Sequence, residues 1–104
     1  MDPRWDAVQR AKPEIVALLA DSGVSGVQVV AALPDQPEVW IWLCTDTDAE
    51  RDALPAMHPH LEAVRAVLGR AGYPAADLAT VWTTAQSQET VDRDYGASWF
   101  YALR

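Results

Sequence analysis

The segment Val39–Thr45, with the sequence VWIWLCT, constrains the fold of this chain more than any other segment. Its β-branched and aromatic residues favour a β-strand. Because successive side chains of a strand point to opposite faces, one face is aliphatic and the other carries Trp40, Trp42 and Cys44. A strand with two apolar faces is typically central and covered on both sides. The sequence therefore predicts a sheet built around this strand, with its tryptophan face in need of a cover.

The neighbouring segments have the patterns of helices and further strands. Residues 3–20 and 60–71 repeat apolar side chains at helical spacing, and the first of these helices begins after Asp2. Thr47 and Glu50 form the pattern of a capping box, which predicts a short helix after the central strand. The remaining apolar segments, rich in residues that favour strands, are residues 27–33, 78–86 and 98–103.

This order of elements, α-β-β-α-β-β, predicts the α+β class. We expect a two-layer sandwich in which a mostly antiparallel four-stranded sheet carries its helices on one face. Residues 88–95 fit either a short helix or a hairpin tip, and the i,i+4 pair of Glu89 and Arg93 favours the helix. The 104 residues are half hydrophobic, so we expect a single domain, 1–104, with its own core.

The charge of the chain limits its partners. The formal net charge is −7, which argues against nucleic acid and membrane, because both attract basic proteins. Residues 1–52 hold ten acidic residues and four basic ones. The densest acidic cluster consists of Asp46, Asp48, Glu50 and Asp52. It predicts a basic protein partner, and ordinary acidic solubility is the alternative.

The five tryptophans are the second unusual feature of the composition. Strand alternation allows four of them, Trp40, Trp42, Trp82 and Trp99, to lie on one sheet face. Such a patch predicts a docking surface, either for another protein or for a second copy in a homodimer. The alternative is burial inside the chain, for which the C-terminal residues are the remaining cover.

The residues that could carry catalysis or bind a metal do not form a complete site. In residues 46–52, Arg51 stands where a calcium loop needs glycine, so a capped helix start is the better interpretation. His58 and His60 have no cysteine or third histidine to complete a zinc site. Cys44 is the single cysteine, and its apolar strand predicts a buried, inert thiol. We therefore expect no cofactor, no metal and no catalytic residue, and a binding protein rather than an enzyme.

The polar segment between the last two predicted strands supports an alternative function. Four of its residues, Gln86, Glu89, Arg93 and Tyr95, could line a pocket, together with a histidine. That arrangement would suit a small-molecule-binding protein or a small enzyme.

The sequence thus favours a small acidic protein-interaction domain that uses an aromatic sheet face and an acidic rim. In size, charge and fold class it resembles the small inhibitor-like immunity proteins that neutralise toxins. That resemblance implies acidic side chains for steering and aromatic side chains for anchoring. The chain shows no apolar run of about 18 residues and no secretory pattern, so we expect a cytoplasmic protein.

Overall fold

The strand that dominates the sequence lies at the centre of the sheet, as a computed structural model of the chain shows. The structure describes residues 2–33, 35–54 and 57–103, with the side chains of residues 57–59 outside this description. The elements in chain order are α1 (Pro3–Leu19), β1 (Val24–Ala31), β2 (Val39–Thr45), α2 (Asp48–Ala53), α3 (Met57–Arg70), β3 (Val81–Ser87), α4 (Gln88–Asp94) and α5 (Trp99–Ala102). Two short 3-10 turns, Ala20–Ser22 and Ala75–Thr80, precede β1 and β3.

The sheet is mixed and contains three strands, in the order β1-β2-β3. β1 pairs antiparallel with β2, whereas β3 pairs parallel with it. The predicted four-stranded, mostly antiparallel sheet is therefore wrong. The physical reason lies in the connection between β2 and β3, which contains α2 and α3. A helical connection of this length carries the chain back to the start of the sheet, so the next strand runs parallel.

The predicted fourth strand at residues 98–103 is also wrong, because this segment contains the short helix α5. The chain reverses immediately before it, where Gly96 and Ala97 both have positive φ, 59° and 65°. Ser98 then caps the helix, since its hydroxyl accepts a hydrogen bond from the backbone N–H of Tyr101. The aromatic residues of this segment favour strands in general, and here the turn and the cap decide against that preference.

The core lies between the sheet and two helices. α1 and α3 pack against each other and against the same sheet face, and the α+β class is confirmed. The expectation that all helices lie on one face is wrong, because the short helix α5 belongs to the C-terminal segment on the opposite face. The fully buried side chains of this core include Val8, Ile15, Ile41, Val64, Leu68 and Val81. Among the helices in the described part of the chain, none is both long and apolar enough to cross a membrane.

Local side-chain bonds explain where the shorter helices begin. Thr47 Oγ1 accepts from the N–H of Glu50 at 3.1 Å, and Glu50 Oε1 accepts from the N–H of Thr47 at 3.0 Å. This is the capping box that the sequence predicts at the start of α2. Ser87 caps α4 in the same position, so residues 88–94 form the helix favoured over a hairpin tip.

Candidate functional site

The sheet face opposite α1 and α3 carries an open aromatic patch. Trp40 and Trp82 are direct neighbours across β2 and β3, with ring centroids 6.3 Å apart and planes tilted by 31°. Val30 of β1 is the neighbour of Trp40 on the other side. The three side chains are 40%, 38% and 37% exposed, respectively, and we call them the open aromatic face.

The C-terminal segment covers the other end of the same sheet face. The indole N–H of Trp99 donates to Gln88 Oε1 at 2.8 Å, and Trp99 shares a hollow with Cys44. Leu103 lines a second hollow together with Trp40 and Trp42. Trp42 and Trp99 are both half-buried as a result. Of the four predicted tryptophans, the structure therefore leaves Trp40 and Trp82 as the open pair.

Arg65 holds Trp82 in place from the outer edge of the sheet. Its guanidinium lies 5.3 Å from the Trp82 ring centroid, within the range of a cation–π contact. The same guanidinium donates to the Val81 carbonyl from Nη2 at 2.8 Å and from Nε at 3.1 Å. A charged side chain in this position also shields the start of an edge strand from pairing with another chain.

The predicted acidic rim does not project as one surface, because the carboxylate of Asp48, whose side chain is 24% exposed, is bound by other side chains of the protein. Its carboxylate accepts hydrogen bonds from the hydroxyls of Ser87 and Thr90 and from Arg93 Nη1, the last at 2.9 Å. These bonds, with that of Ser87 the strongest, hold the pKa of the Asp48 carboxyl well below its usual range. Asp48 therefore ties the ends of two parallel strands together.

The other three acidic residues of the predicted rim differ in their contacts and exposure. Glu50 is occupied by the capping box of α2. Asp52 is 69% exposed and bonds Arg51 Nε at 3.0 Å. Asp46 is exposed and accepts from the Ser25 hydroxyl at 3.1 Å. Only Asp46 and Asp52 of the predicted rim are thus directed to solvent.

Three of the four residues predicted to line a pocket belong to the network around Asp48. Gln86 Oε1 accepts from Arg51 Nη1 at 2.9 Å, and Glu89 Oε1 accepts from the N–H of Asp48 at 3.0 Å. Arg93 bonds the Asp48 carboxylate, as described above. The fourth residue, Tyr95, is 40% exposed at the C-terminal end of α4. These bonds hold α2 against α4. Residues 86–95 therefore have a structural role.

A cavity of about 180 Å³ lies nearby, between the sheet and helices α2 and α3. Its walls include Leu43, Arg51, Leu54, His60, Thr83 and Ala85. Within the part of the chain that the structure describes, two buried polar atoms of these side chains, His60 Nε2 and Thr83 Oγ1, have no hydrogen-bond partner. The sequence contained one signal for this site that we did not use. Thr83 stands between Val81 and Ala85 on the core-facing side of β3, where a hydroxyl is unusual.

The structure places the remaining candidate residues as follows. Burial raises the pKa of the Cys44 thiol to about 11, so this cysteine is a poor nucleophile. His60 lies in the cavity wall, while the side chain of His58 lies outside the described residues. In the described part of the chain, no three side chains of His, Cys, Asp or Glu come together as metal ligands.

Comparisons of the chain with protein-family models, curated proteins and solved structures give no match. The function must therefore be inferred from the chain's own surfaces and cavities.

Proposed function

We propose that this protein is a small acidic interaction domain that binds a basic protein partner through its open aromatic face. The observation that carries the proposal is the exposed, neighbouring pair of Trp40 and Trp82. Large exposed apolar patches on small proteins commonly mark interfaces. Tryptophan is enriched among the few residues that supply most of the binding energy there.

The exposed area is large enough for this role. A covered tryptophan side chain buries up to about 250 Å². Exposed fractions of 40% and 38% therefore leave roughly 100 Å² on each of Trp40 and Trp82. At about 25 cal/mol per Å², covering each ring contributes about 2.5 kcal/mol. Each ring alone thus reaches the range of an interface hot spot.

The charge of the chain favours a basic partner over a second copy. Two molecules that each carry a net charge of −7 repel one another, whereas a basic protein is attracted. Asp46 and Glu38 are exposed at the two ends of β2, where they can meet basic side chains around the aromatic face. An inhibitor-like or immunity-like protein, which covers a basic functional surface, would use this combination of anchoring and steering.

The proposal can be tested with two substitutions on the open aromatic face and one control. Trp40→Ser and Trp82→Ser remove one anchor each, and Leu18→Ser alters a side chain of α1 that is 52% exposed. Proteins from the source cell are captured on the wild type and on each variant, and the captured partner is then purified. Titration calorimetry should show at least about tenfold weaker binding for each tryptophan variant and unchanged binding for Leu18→Ser. Binding should also weaken between about 0.05 and 0.5 M salt.

Two results would overturn the proposal. The first is a partner whose affinity is the same for the wild type and for both tryptophan variants. The second is a homodimer that sedimentation velocity detects in the wild type and that dissociates in Trp40→Ser, because a second copy would then occupy the face. Circular dichroism of each variant checks that the fold is retained.

A further inference from the structure

The cavity between the sheet and helices α2 and α3 is a second place where this protein can bind a molecule. Its volume is about 180 Å³, similar to the roughly 150 Å³ of an engineered protein cavity that accepts benzene. Two of the polar side chains in its wall, Thr83 and His60, are 1% and 8% exposed. Buried polar atoms almost always have hydrogen-bond partners, so two orphaned atoms around one cavity need an explanation.

We propose that this cavity binds a small uncharged molecule that carries a hydrogen-bond donor and acceptor side by side on an apolar ring, such as a lactam or a pyridone. A threonine hydroxyl can donate and accept, and an imidazole nitrogen does one or the other according to its tautomer. Thr83 Oγ1 and His60 Nε2 together therefore match a ligand with one group of each kind. Leu43, Leu54 and Ala85 offer apolar contact to its ring.

Binding requires the two polar atoms to turn toward the ligand. Both are shielded from water in the free protein, so each must move slightly to reach the cavity. The cost is small because neither Thr83 Oγ1 nor His60 Nε2 gives up a hydrogen bond when its side chain rotates. Each instead gains a hydrogen bond to the ligand.

The charges around the cavity argue for an uncharged ligand. Arg51 lines the cavity, but its Nη1 lies 3.5 Å from Asp48 Oδ1 and its Nε lies 3.0 Å from Asp52 Oδ1. Two carboxylates therefore already compensate its charge. The net charge of −7 further disfavours an anion. A carboxylate ligand would gain little from Arg51 and would lose its own hydration.

The test is an NMR titration of the full chain with three ring compounds of similar size: 2-pyridone, benzoate and benzene. We expect 2-pyridone to shift the amide signals of Thr83 and Ala85 saturably, with a dissociation constant near the millimolar range usual for so small a molecule. Benzoate and benzene should bind at least about tenfold more weakly, since the first is charged and the second forms no hydrogen bond.

Matched variants separate recognition from general effects on the fold. Thr83→Val should weaken 2-pyridone binding roughly three- to tenfold, the value of one hydrogen bond. Thr45→Val is the control, because Thr45 is also 1% exposed but its hydroxyl donates to the Thr47 carbonyl at 2.9 Å, away from the cavity wall. His60→Leu provides a second test of the polar wall, with the same expected direction.

Four outcomes would overturn the proposal: no saturable shift with 2-pyridone, equal binding of benzene, equal binding of benzoate, or unchanged affinity in Thr83→Val. The first would mean that water alone fills the cavity. The cavity lies on the helix-covered side of the sheet and the open aromatic face on the opposite side, so this experiment does not depend on the proposed protein partner.

Discussion

Replacing Ser87 by alanine tests the hydrogen-bond network that joins the ends of β2 and β3. Ser87 is fully buried, and its hydroxyl does two things at once. It accepts from the N–H of Thr90 at 3.0 Å, as the N-cap of α4, and it donates to the carboxylate of Asp48. Ser87→Ala therefore removes a cap and a hydrogen bond to a charged group, and it leaves a buried N–H without a partner.

The expected loss of stability can be worked out from the cap alone. An N-cap side chain contributes about 1 kcal/mol, and up to about 2 kcal/mol where the structure holds it firmly. Because the N–H of Thr90 is buried and cannot turn to water, we expect the upper value, about 2 kcal/mol, for Ser87→Ala. Ser98→Ala is the matched control. Ser98 caps α5, but at 3.4 Å and at an exposed position, so the same substitution should cost less than about 0.5 kcal/mol.

The pH dependence of this loss shows whether Asp48 takes part. The hydroxyls of Ser87 and Thr90 and the guanidinium of Arg93 lower the pKa of Asp48 in the folded state. A lowered pKa stabilises the fold above the unfolded value of about 4, and this stabilisation is lost as the pH falls toward the folded value. Ser87→Ala removes one of the hydrogen bonds to Asp48 and therefore part of this stabilisation. The unfolded pKa is common to both proteins, so the stability difference from the wild type should be constant at neutral pH and shrink only when the pH falls below the folded pKa of Asp48 in the variant.

Urea denaturation of the wild type, Ser87→Ala and Ser98→Ala at pH 7 measures the loss of stability. Equal losses for the two serine variants would refute the argument from the buried cap. An NMR titration of the Asp48 carboxyl group tests its participation: its folded pKa should be higher in Ser87→Ala than in the wild type, and equal values would refute that participation.

Three further predictions follow from single contacts. Thr83→Val should leave the free energy of unfolding unchanged or raise it by up to about 1 kcal/mol, whereas Thr45→Val should lower it by about 1 kcal/mol in urea denaturation. An equal loss in both would mean that the Thr83 hydroxyl has a partner. Thr47→Ala removes the capping box of α2 and should cost about 1 kcal/mol, and no loss would contradict its role. With a pKa of about 11, Cys44 should react with Ellman's reagent at pH 8 about a hundredfold more slowly than in urea, and equal rates would show an accessible thiolate.

The parts of the fold that depend on neighbouring residues could be predicted from the sequence. The capping box of Thr47 and Glu50 is an example, because both partners lie within one helical turn. The helix at Gln88–Asp94 was the favoured alternative for the same reason. The position of Val39–Thr45 at the centre of the sheet follows from its two apolar faces.

The pairing of strands could not be predicted in the same way, because it depends on where the chain returns. Residues 98–103 have the composition of a strand, yet the positive φ of Ala97 and the cap at Ser98 place them in a helix. The parallel pairing of β2 with β3 had a usable signal, a long connection that contains a helical pattern. The order of elements alone favoured an antiparallel sheet, and that pairing holds for β1 and β2 only.

The candidate sites, like the pairing of strands, depend on contacts between residues that are far apart in the sequence. Asp48 and Glu89 lie in the first turns of α2 and α4, and Arg93 lies in the last turn of α4. Their sequence positions alone do not show that they bind one another. Their use inside the protein depends on α2 and α4 lying side by side at the ends of two parallel strands. A cluster of acidic residues in a sequence therefore predicts an acidic surface only where no basic or hydroxyl side chain from a distant segment binds to it.

Strand alternation explains how so small a chain can carry both of the proposed binding regions. In β3, Trp82 and Thr83 are adjacent in sequence but lie on opposite faces of the sheet. The first belongs to the open aromatic face and the second to the wall of the cavity. Arg65 reaches from the helix side to the other face, because it starts on α3, bonds the Val81 carbonyl and lies over Trp82. A partner on the aromatic face and a ligand in the cavity would thus share one strand, and Thr84 lines both the cavity and the hollow beside Trp40 and Trp42. Trp82 and Thr83 can nevertheless be substituted one at a time, which tests the two regions separately.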